Sequence, residues 1–407
     1  MAVLVGWVSR VDADTDPGRD APSCPNAGLC GRRLLWAPLV WAPGLCGRRP
    51  VRASACAARR SMLSSADSNR VLKEESMASN DKPLPGTMTD RNLALELVRV
   101  TEAAALAASR WIGHGKKNEA DGAAVEAMRK AFDAVAIDGT VVIGEGEMDE
   151  APMLFIGEKV GAGGPAMDIA VDPLEGTTLT AKGGPNAMAT VALAESGNFL
   201  HAPDIYMDKI AVGGGLPDGV VTLDDSVGNN LRNLARAKKR DVSELVACIL
   251  DRDRHKELIA YCREAGARVM LISDGDVAGV IATAMPDAEI DIYLGSGGAP
   301  EGVLAAAALR CVGGQMQGRL LYESDEQIER VRSMGHPDPK RCFSVEEMAK
   351  GDVMFAATGV TAGAMLRGVS RRPGGATTHS IVMRSHSGTV RFIEAHHNFV
   401  QKTWTPT

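Results

Sequence analysis

Aromatic side chains are scarce in this sequence: seven Phe, four Tyr and five Trp make up 4% of 407 residues. A core with so few rings must be filled by aliphatic side chains and close backbone packing. The 44 glycines and the 45% hydrophobic share suit that. Long apolar runs are missing as well. The longest near the start, LLWAPLVWAPGLC from Leu34 to Cys46, holds two prolines and falls short of the roughly 20 apolar residues that a spanning helix needs. No membrane partner is expected. The eight cysteines show no C-x-x-C spacing: Cys24, Cys30, Cys46 and Cys56 lie in the first 60 residues, and Cys248, Cys262, Cys311 and Cys342 are scattered. That argues against a zinc ribbon or a disulfide framework and for free thiols in a reducing, cytoplasmic setting. An excess of positive charge is absent too. The net charge is -6, split as +4 over residues 1–87 and -10 over the rest. An acidic body speaks against nucleic acid as a partner. It leaves room for an anionic small molecule, because bound cations invert the local field.

Residues 1–87 differ from the rest of the chain. They are rich in Arg, Ala, Pro, Cys and Trp and lack sustained periodicity. Between Ala21 and Ala66 there are seven Arg and no acidic residue, as in a transit peptide, but four Asp in the first 20 residues do not fit one. This stretch is read as an extension, disordered or absent from the mature protein, with Met62, Met77 and Met88 as alternative starts. In a phototrophic eukaryote it would serve as a plastid address.

Order is expected from Asp90, an N-cap candidate for the helix DRNLALELVRVTEAAALAASRWIG. A second helix follows at DGAAVEAMRKAFDAV, with Val125, Met128 and Phe132 on one face. Strands are expected at TVVIGEGE, MDIAVDPLEGT, ATVALAE and KIAVG. In the second of these Met167, Ile169 and Val171 face one way and Asp168, Ala170 and Asp172 the other. From about residue 245 strand and helix alternate: ACIL, DRHKELIAYCREAG, ARVMLIS, DGDVAGVIATAM, IDIYLG, GGAPEGVLAAAALRC, GGQMQGRLL. Such alternation predicts a largely parallel sheet with ligands beyond its carboxyl ends. A hairpin turning at His386-Ser387-Gly388 closes the chain. The domain reading is residues 1–87 as extension, 88–240 as a metal-binding domain and 241–407 as an α/β substrate-binding domain.

Four acidic turns stand at element boundaries. In DPLEGTT (172–178), proline bends the chain after Asp172, so that Asp172 and Glu175 can converge on a hard cation that prefers oxygen ligands. Gly176 and Thr177 follow at a helix start, where backbone N–H groups suit a phosphate oxygen and the Thr177 hydroxyl a water. GEGEMDEAP (144–152) packs Glu145, Glu147, Asp149 and Glu150 after a strand. NEADG presents Asp121 and GGAPEG presents Glu301. Each has a bland alternative as a cap, a solvated turn or a dipole partner. Four together favour a multi-metal carboxylate site for phosphoryl transfer, with Mg²⁺ or Mn²⁺ clamping the reacting oxygens. Lys117, Arg252 and Arg254 are the cations available to grip a second phosphate.

VVIGEGEMDEAPML, DIAVDPLEGTT, APDIYMDKIAVG, SDGDVA and GGAPEG together resemble the class II fructose-1,6-bisphosphatases of the lithium-sensitive sugar phosphatase superfamily, from about Asp90 almost to the C-terminus. The resemblance implies a two-domain α/β (α+β layered) sugar-phosphatase fold with alternating helix and sheet layers. It implies metal-dependent hydrolysis of the 1-phosphate of fructose 1,6-bisphosphate in gluconeogenesis, or else of sedoheptulose 1,7-bisphosphate or of both. The cofactors implied are two or more Mn²⁺ or Mg²⁺ ions, and the assembly a homo-oligomer, dimer or tetramer. It places metal ligands at Asp121, Glu145, Asp172, Glu175 and Glu301. Asp149 and Thr177 match a pair that activates the attacking water, and Lys117 matches a residue important in catalysis. Substrate contacts fall on Glu175, Gly176, Thr177, Tyr206, Arg252, Arg254, Asp274, Gly275, Asp276 and Gly298. One departure is local: the family carries an acidic residue before the catalytic lysine, and here the pair is Lys116-Lys117.

Overall fold

A computed structural model of the protein describes residues 88–146, 152–336 and 338–401. The N-terminal extension read from residues 1–87 lies outside them, as does Asp149. In chain order the elements begin with helices α1 (Met88–Ala108) and α2 (Lys117–Phe132). Strands β1 (Asp138–Ile143), β2 (Lys159–Val160) and β3 (Ala166–Glu175), helix α3 (Thr177–Lys182) and strands β4 (Met188–Glu195) and β5 (Tyr206–Val212) follow. Next come α4 (Val227–Lys238), β6 (Val246–Leu250), α5 (Lys256–Glu264), β7 (Arg268–Ile272), α6 (Asp276–Ala282), β8 (Ile292–Gly298), α7 (Ala299–Val312) and β9 (Gln315–Leu320). The chain continues through α8 (Asp325–Ser333), β10 (Cys342–Ser344), α9 (Val345–Met348), β11 (Val353–Gly359), β12 (Ser370–Arg372), β13 (Gly375–Arg384) and β14 (Thr389–Asn398). No helix among the described residues is long and apolar enough to cross a membrane.

The strands form two mixed sheets. The first has eight strands in the order β12-β13-β11-β4-β3-β1-β2, with β14 paired to β13. The second has six, in the order β10-β9-β5-β8-β6-β7. Central strands are apolar on both sides, as strands covered on both faces must be. In β3, Ile169 and Val171 join the cluster under α1 and α2, while Ala170 joins the cluster between the sheets. In β5, Met207 and Ala211 face inward and Ile210 and Val212 face α4 and α5. The result is a stack: α1 and α2, the first sheet, α6 and α7, the second sheet, then α4 and α5. Helix α7 carries the centre of that stack. Ala299 and Gly302 to Leu309 are all buried, as a helix apolar on every side requires. Its run of alanines keeps it thin, so both sheets approach closely.

Two expectations need correction. The second sheet is not largely parallel. Strands β6, β7 and β8 pair in parallel, and β9 runs the same way, as the strand–helix alternation predicts. Yet β5 inserts between β8 and β9 and is antiparallel to both, and β10 is antiparallel to β9. Nor does residue 240 divide the sheets. Strand β5 precedes it and sits in the second sheet, while β11 to β14 follow it and sit in the first. The described residues form one compact unit. Local pattern marks a strand but not its neighbour, because pairing is decided by whichever apolar faces must be covered. At smaller scale, α1 starts two residues before Asp90, so Asp90 lies within the first turn and is not its cap.

Candidate active site

The DPLEGTT segment gets its geometry from a bulge. Asp172 pairs with Thr190 of β4 and Glu175 with Met188, so β3 carries one more residue than its partner over that step. Positions three apart on a regular strand point to opposite faces; one inserted residue brings them to the same side. Pro173 fits there because a bulge leaves an N–H unpaired, and proline has none to lose. The Leu174 N–H donates to Asp172 Oδ1 at 3.0 Å and closes the bend. Gly176 then adopts φ 88°, a left-handed conformation that favours glycine, and caps α3, which begins at Thr177.

Three other elements deliver carboxylates to the same place. Strand β1 runs parallel to β3 with Ile143 opposite Ala170, so continuing that register sets Glu145 beside Asp172. Helix α2 starts at Lys117, which puts Asp121 in its second turn. The capping alternative for Asp121 therefore fails, since the helix begins one turn earlier. Helix α7 places Glu301 in its first turn, straight after β8. Asp172, Glu175 and Glu301 each offer an oxygen within 4.8 Å of the others. All five carboxylates line a cleft of about 540 Å³ together with Gly176, Thr177, Asp204, Asp274 and Arg330.

The cluster disfavours its own negative charge. Burial, then the neighbouring Asp121 and Glu301 charges, push Glu145 up to about 8. Burial and the Asp276 charge push Glu175 up to about 8. Burial and the Glu175 charge raise Asp172 well above the usual carboxylate range. Burial raises Asp121 and Glu301, the latter held back by Lys209. Glu301 Oε2 is buried with no hydrogen-bond partner among the described residues. Buried carboxylate oxygens without protein donors fit hard divalent cations, which take oxygen ligands and supply the missing positive charge.

The second half of the site stands at the carboxyl ends of β6, β7 and β8. Arg252 donates to the Ser273 carbonyl at 2.5 Å and lies 3.5 Å from Asp274. Arg254 stacks over the Tyr206 ring at 4.7 Å and is held by Ser296. Tyr206 opens β5 opposite Gly298, the last residue of β8, and is 43% exposed. A hydrogen bond joins the two halves: the Val277 N–H, just past Asp274-Gly275-Asp276, donates to Glu175 Oε1 at 3.1 Å.

Three sequence candidates stand apart. The Asp276 carboxylate is buried and paired with Lys209 Nζ at 2.6 Å, with the Tyr293 hydroxyl at 3.4 Å, so it braces the cluster from behind. Lys117 is exposed at the start of α2, one turn before Asp121 on the same face. Asp149 lies outside the described residues. Sequence reasoning missed Lys209, His255 and Ser296. A lysine inside the apolar run of β5 was a readable signal for the first; nothing local marks the other two.

The chain matches the family model described as bacterial fructose-1,6-bisphosphatase, glpX-encoded, over residues 91–397. It is 49% identical over 326 residues to fructose-1,6-bisphosphatase 1 class 2 of Escherichia coli strain K12, covering 77% of this chain and 97% of that one. The same identity and coverage hold for fructose-1,6-bisphosphatase class 2 of Shigella flexneri.

Proposed function

Because this chain belongs to the bacterial, glpX-encoded fructose-1,6-bisphosphatases, we propose that the carboxylate cleft removes the 1-phosphate of fructose 1,6-bisphosphate in gluconeogenesis, giving fructose 6-phosphate and inorganic phosphate. The enzyme is a class II fructose-bisphosphatase, a phosphoric monoester hydrolase. The observation that carries the site assignment is the convergence of Asp172, Glu175 and Glu301 oxygens within 4.8 Å, beside a pair of arginines linked to them through Asp274 and Val277.

Asp121, Glu145, Asp172, Glu175 and Glu301 would hold the divalent cations, Mn²⁺ or Mg²⁺. When bound, these supply counter-charge and Lewis acidity to the phosphoryl oxygens. Thr177 orients the attacking water through its hydroxyl, and Asp149 takes the water's proton. The water oxygen forms the new bond to phosphorus in line as the bond to the sugar O1 breaks, and the proton taken by Asp149 passes through solvent to O1, which leaves as a hydroxyl. Lys117, one turn from Asp121, offers positive charge near the developing anion. Arg252 and Arg254 grip the 6-phosphate, Tyr206 lines its side, and Gly275 and Gly298 let the ligand approach the backbone. A homo-oligomer, dimer or tetramer, is part of the same reading.

Phosphate release from fructose 1,6-bisphosphate, with Mn²⁺ or Mg²⁺ and with chelator, tests it beside Asp172→Asn. Metal-dependent release is expected in the parent and a loss of at least about a hundredfold in the variant, the scale of a lost electrostatic contact to the transition state. Undiminished turnover by Asp172→Asn would remove the carboxylate cluster from the reaction.

A further inference from the structure

A buried imidazole stands behind Arg254, one of the two arginines assigned to the second phosphate. His255 is 3% exposed. Its Nδ1 is 2.8 Å from the Leu250 carbonyl oxygen, which can only accept, so Nδ1 carries the proton. Nε2 is then an acceptor. It receives the Ser296 backbone N–H at 2.9 Å and has the Ser296 hydroxyl at 3.1 Å. That backbone N–H takes the single Nε2 lone pair, so the hydroxyl adds at most the second arm of a three-centre bond, and the oxygen lone pairs of Ser296 stay free to accept. Arg254 Nε donates to this oxygen at 3.0 Å, and Arg254 Nη2 donates to the Ser296 carbonyl at 2.8 Å. Burial and the Arg254 and Arg252 charges lower the His255 pKa, in keeping with the neutral ring that this pattern needs.

The surroundings are shaped for the imidazole. Gly295, just before Ser296, has φ 134°, and a Cβ there would stand 3.0 Å from His255 Nε2. Glycine therefore lets β8 close on the ring. On its other side the guanidinium is stacked on Tyr206. One edge of Arg254, Nε with Nη2, is thus occupied by protein, and one face is covered by Tyr206. No described residue pairs with Nη1.

We propose that His255 and Ser296 are positioning residues for substrate binding: they clamp one edge of Arg254 so that its Nη1–Nη2 end is left to meet a phosphate remote from the reacting one. The clamp selects bisphosphorylated sugars, because an arginine held in place before binding loses little rotamer freedom when the phosphate arrives. The inference rests on the reading that Arg254 binds the second phosphate. It also predicts an end-on contact through the Nη1–Nη2 edge rather than the Nε–Nη2 fork that an unrestrained arginine offers.

The test compares Ser296→Ala, His255→Gln and Arg254→Met in the full chain with Mn²⁺. The readouts are KM and kcat on fructose 1,6-bisphosphate, product inhibition by fructose 6-phosphate, and inhibition by inorganic phosphate. Fructose 6-phosphate carries only the remote phosphate, whereas inorganic phosphate reports on the carboxylate end. Ser296→Ala is expected to raise KM and the fructose 6-phosphate inhibition constant about tenfold. In this variant kcat stays within about twofold and inorganic phosphate inhibition is unchanged, the signature of lost binding common to ground and transition states. His255→Gln keeps an acceptor for the Ser296 N–H and is expected to show a smaller rise. If Arg254→Met raises KM and Ser296→Ala does not, the clamp is wrong and the phosphate assignment stands. If neither raises KM, the Arg254 assignment fails and the clamp with it. A fall in kcat at unchanged KM in Ser296→Ala also overturns the proposal.

Discussion

Glu145 and Glu175 are each pushed from 4.5 up to about 8, first of all by burial. In the unfolded chain both titrate near the lower value. Between the two values the folded, metal-free protein binds more protons than the unfolded chain, so raising the pH favours unfolding there. The stabilising protonation is fully present below about 4.5 and is lost as the pH rises through about 8. The expected outcome is a melting temperature in chelator that falls across that window and levels off above it. Adding Mn²⁺ should raise it most at the upper end, where the carboxylates are ionised and bind metal best. Differential scanning fluorimetry across pH, with and without metal, checks this; a chelated melting temperature that climbs through the window would contradict it. Lys209 obeys the same electrostatics from the other side. It is 1% exposed and tolerates burial because Asp276 faces it at 2.6 Å, and it tempers the Glu301 carboxylate in turn.

At the level of elements, the site is made by how strands and helices end. The bulge in β3 turns Asp172 and Glu175 to one side, the parallel register of β1 adds Glu145, and the first turn of α7 adds Glu301. The junction between β8 and α7 is the tightest of these. Gly298 has an ordinary backbone, φ -61° and ψ 145°, so glycine is not required there by conformation. It is required by space: a Cβ would stand 1.9 Å from Glu301 Oε2. Gly298→Ala is therefore expected to displace the Glu301 carboxylate while leaving the fold intact. Metal affinity should fall by about tenfold to a hundredfold, as when a ligand loses its orientation. Calorimetric titration with Mn²⁺ beside a thermal melt in chelator separates the two effects. Unchanged affinity would mean that Glu301 is not a ligand.

Across the whole molecule the two sheets are interlocked by the chain's path. Strand β5 leaves the first half to sit between β8 and β9, and β11 to β14 return from the second half to complete the first sheet. Strand β11 forms a full ladder with β4, from Val353 opposite Ala194 to Gly359 opposite Met188. Neither residues 88–240 nor residues 241–407 own a complete core. Residues 78–407 are accordingly expected to unfold in one cooperative transition, coincident by fluorescence and circular dichroism. Residues 88–240 expressed alone should show no cooperative melt. Two separated transitions in the parent would point to sheets that are stable independently.

The sequence by itself determined the order and kind of the long apolar strands and helices, since periodicity and apolar runs are local; short or polar-faced elements such as α4 and α8 left no such mark. It also singled out acidic residues that the fold brings to one cleft, because several stand at an element boundary beside Gly or Pro: Glu145 between glycines, Asp172 before Pro173, Glu301 behind Gly297-Gly298. The tertiary structure alone decided which strands became neighbours, and with that the mixed second sheet and the loss of the divide at residue 240. It alone turned Asp276 inward to Lys209, moved Asp121 from a supposed cap into the second turn of α2, and tied His255 to Ser296 and Arg254. Those outcomes depend on contacts between residues far apart in the chain. Such contacts are chosen by burial and pairing over the whole fold, and no short stretch of sequence carries them.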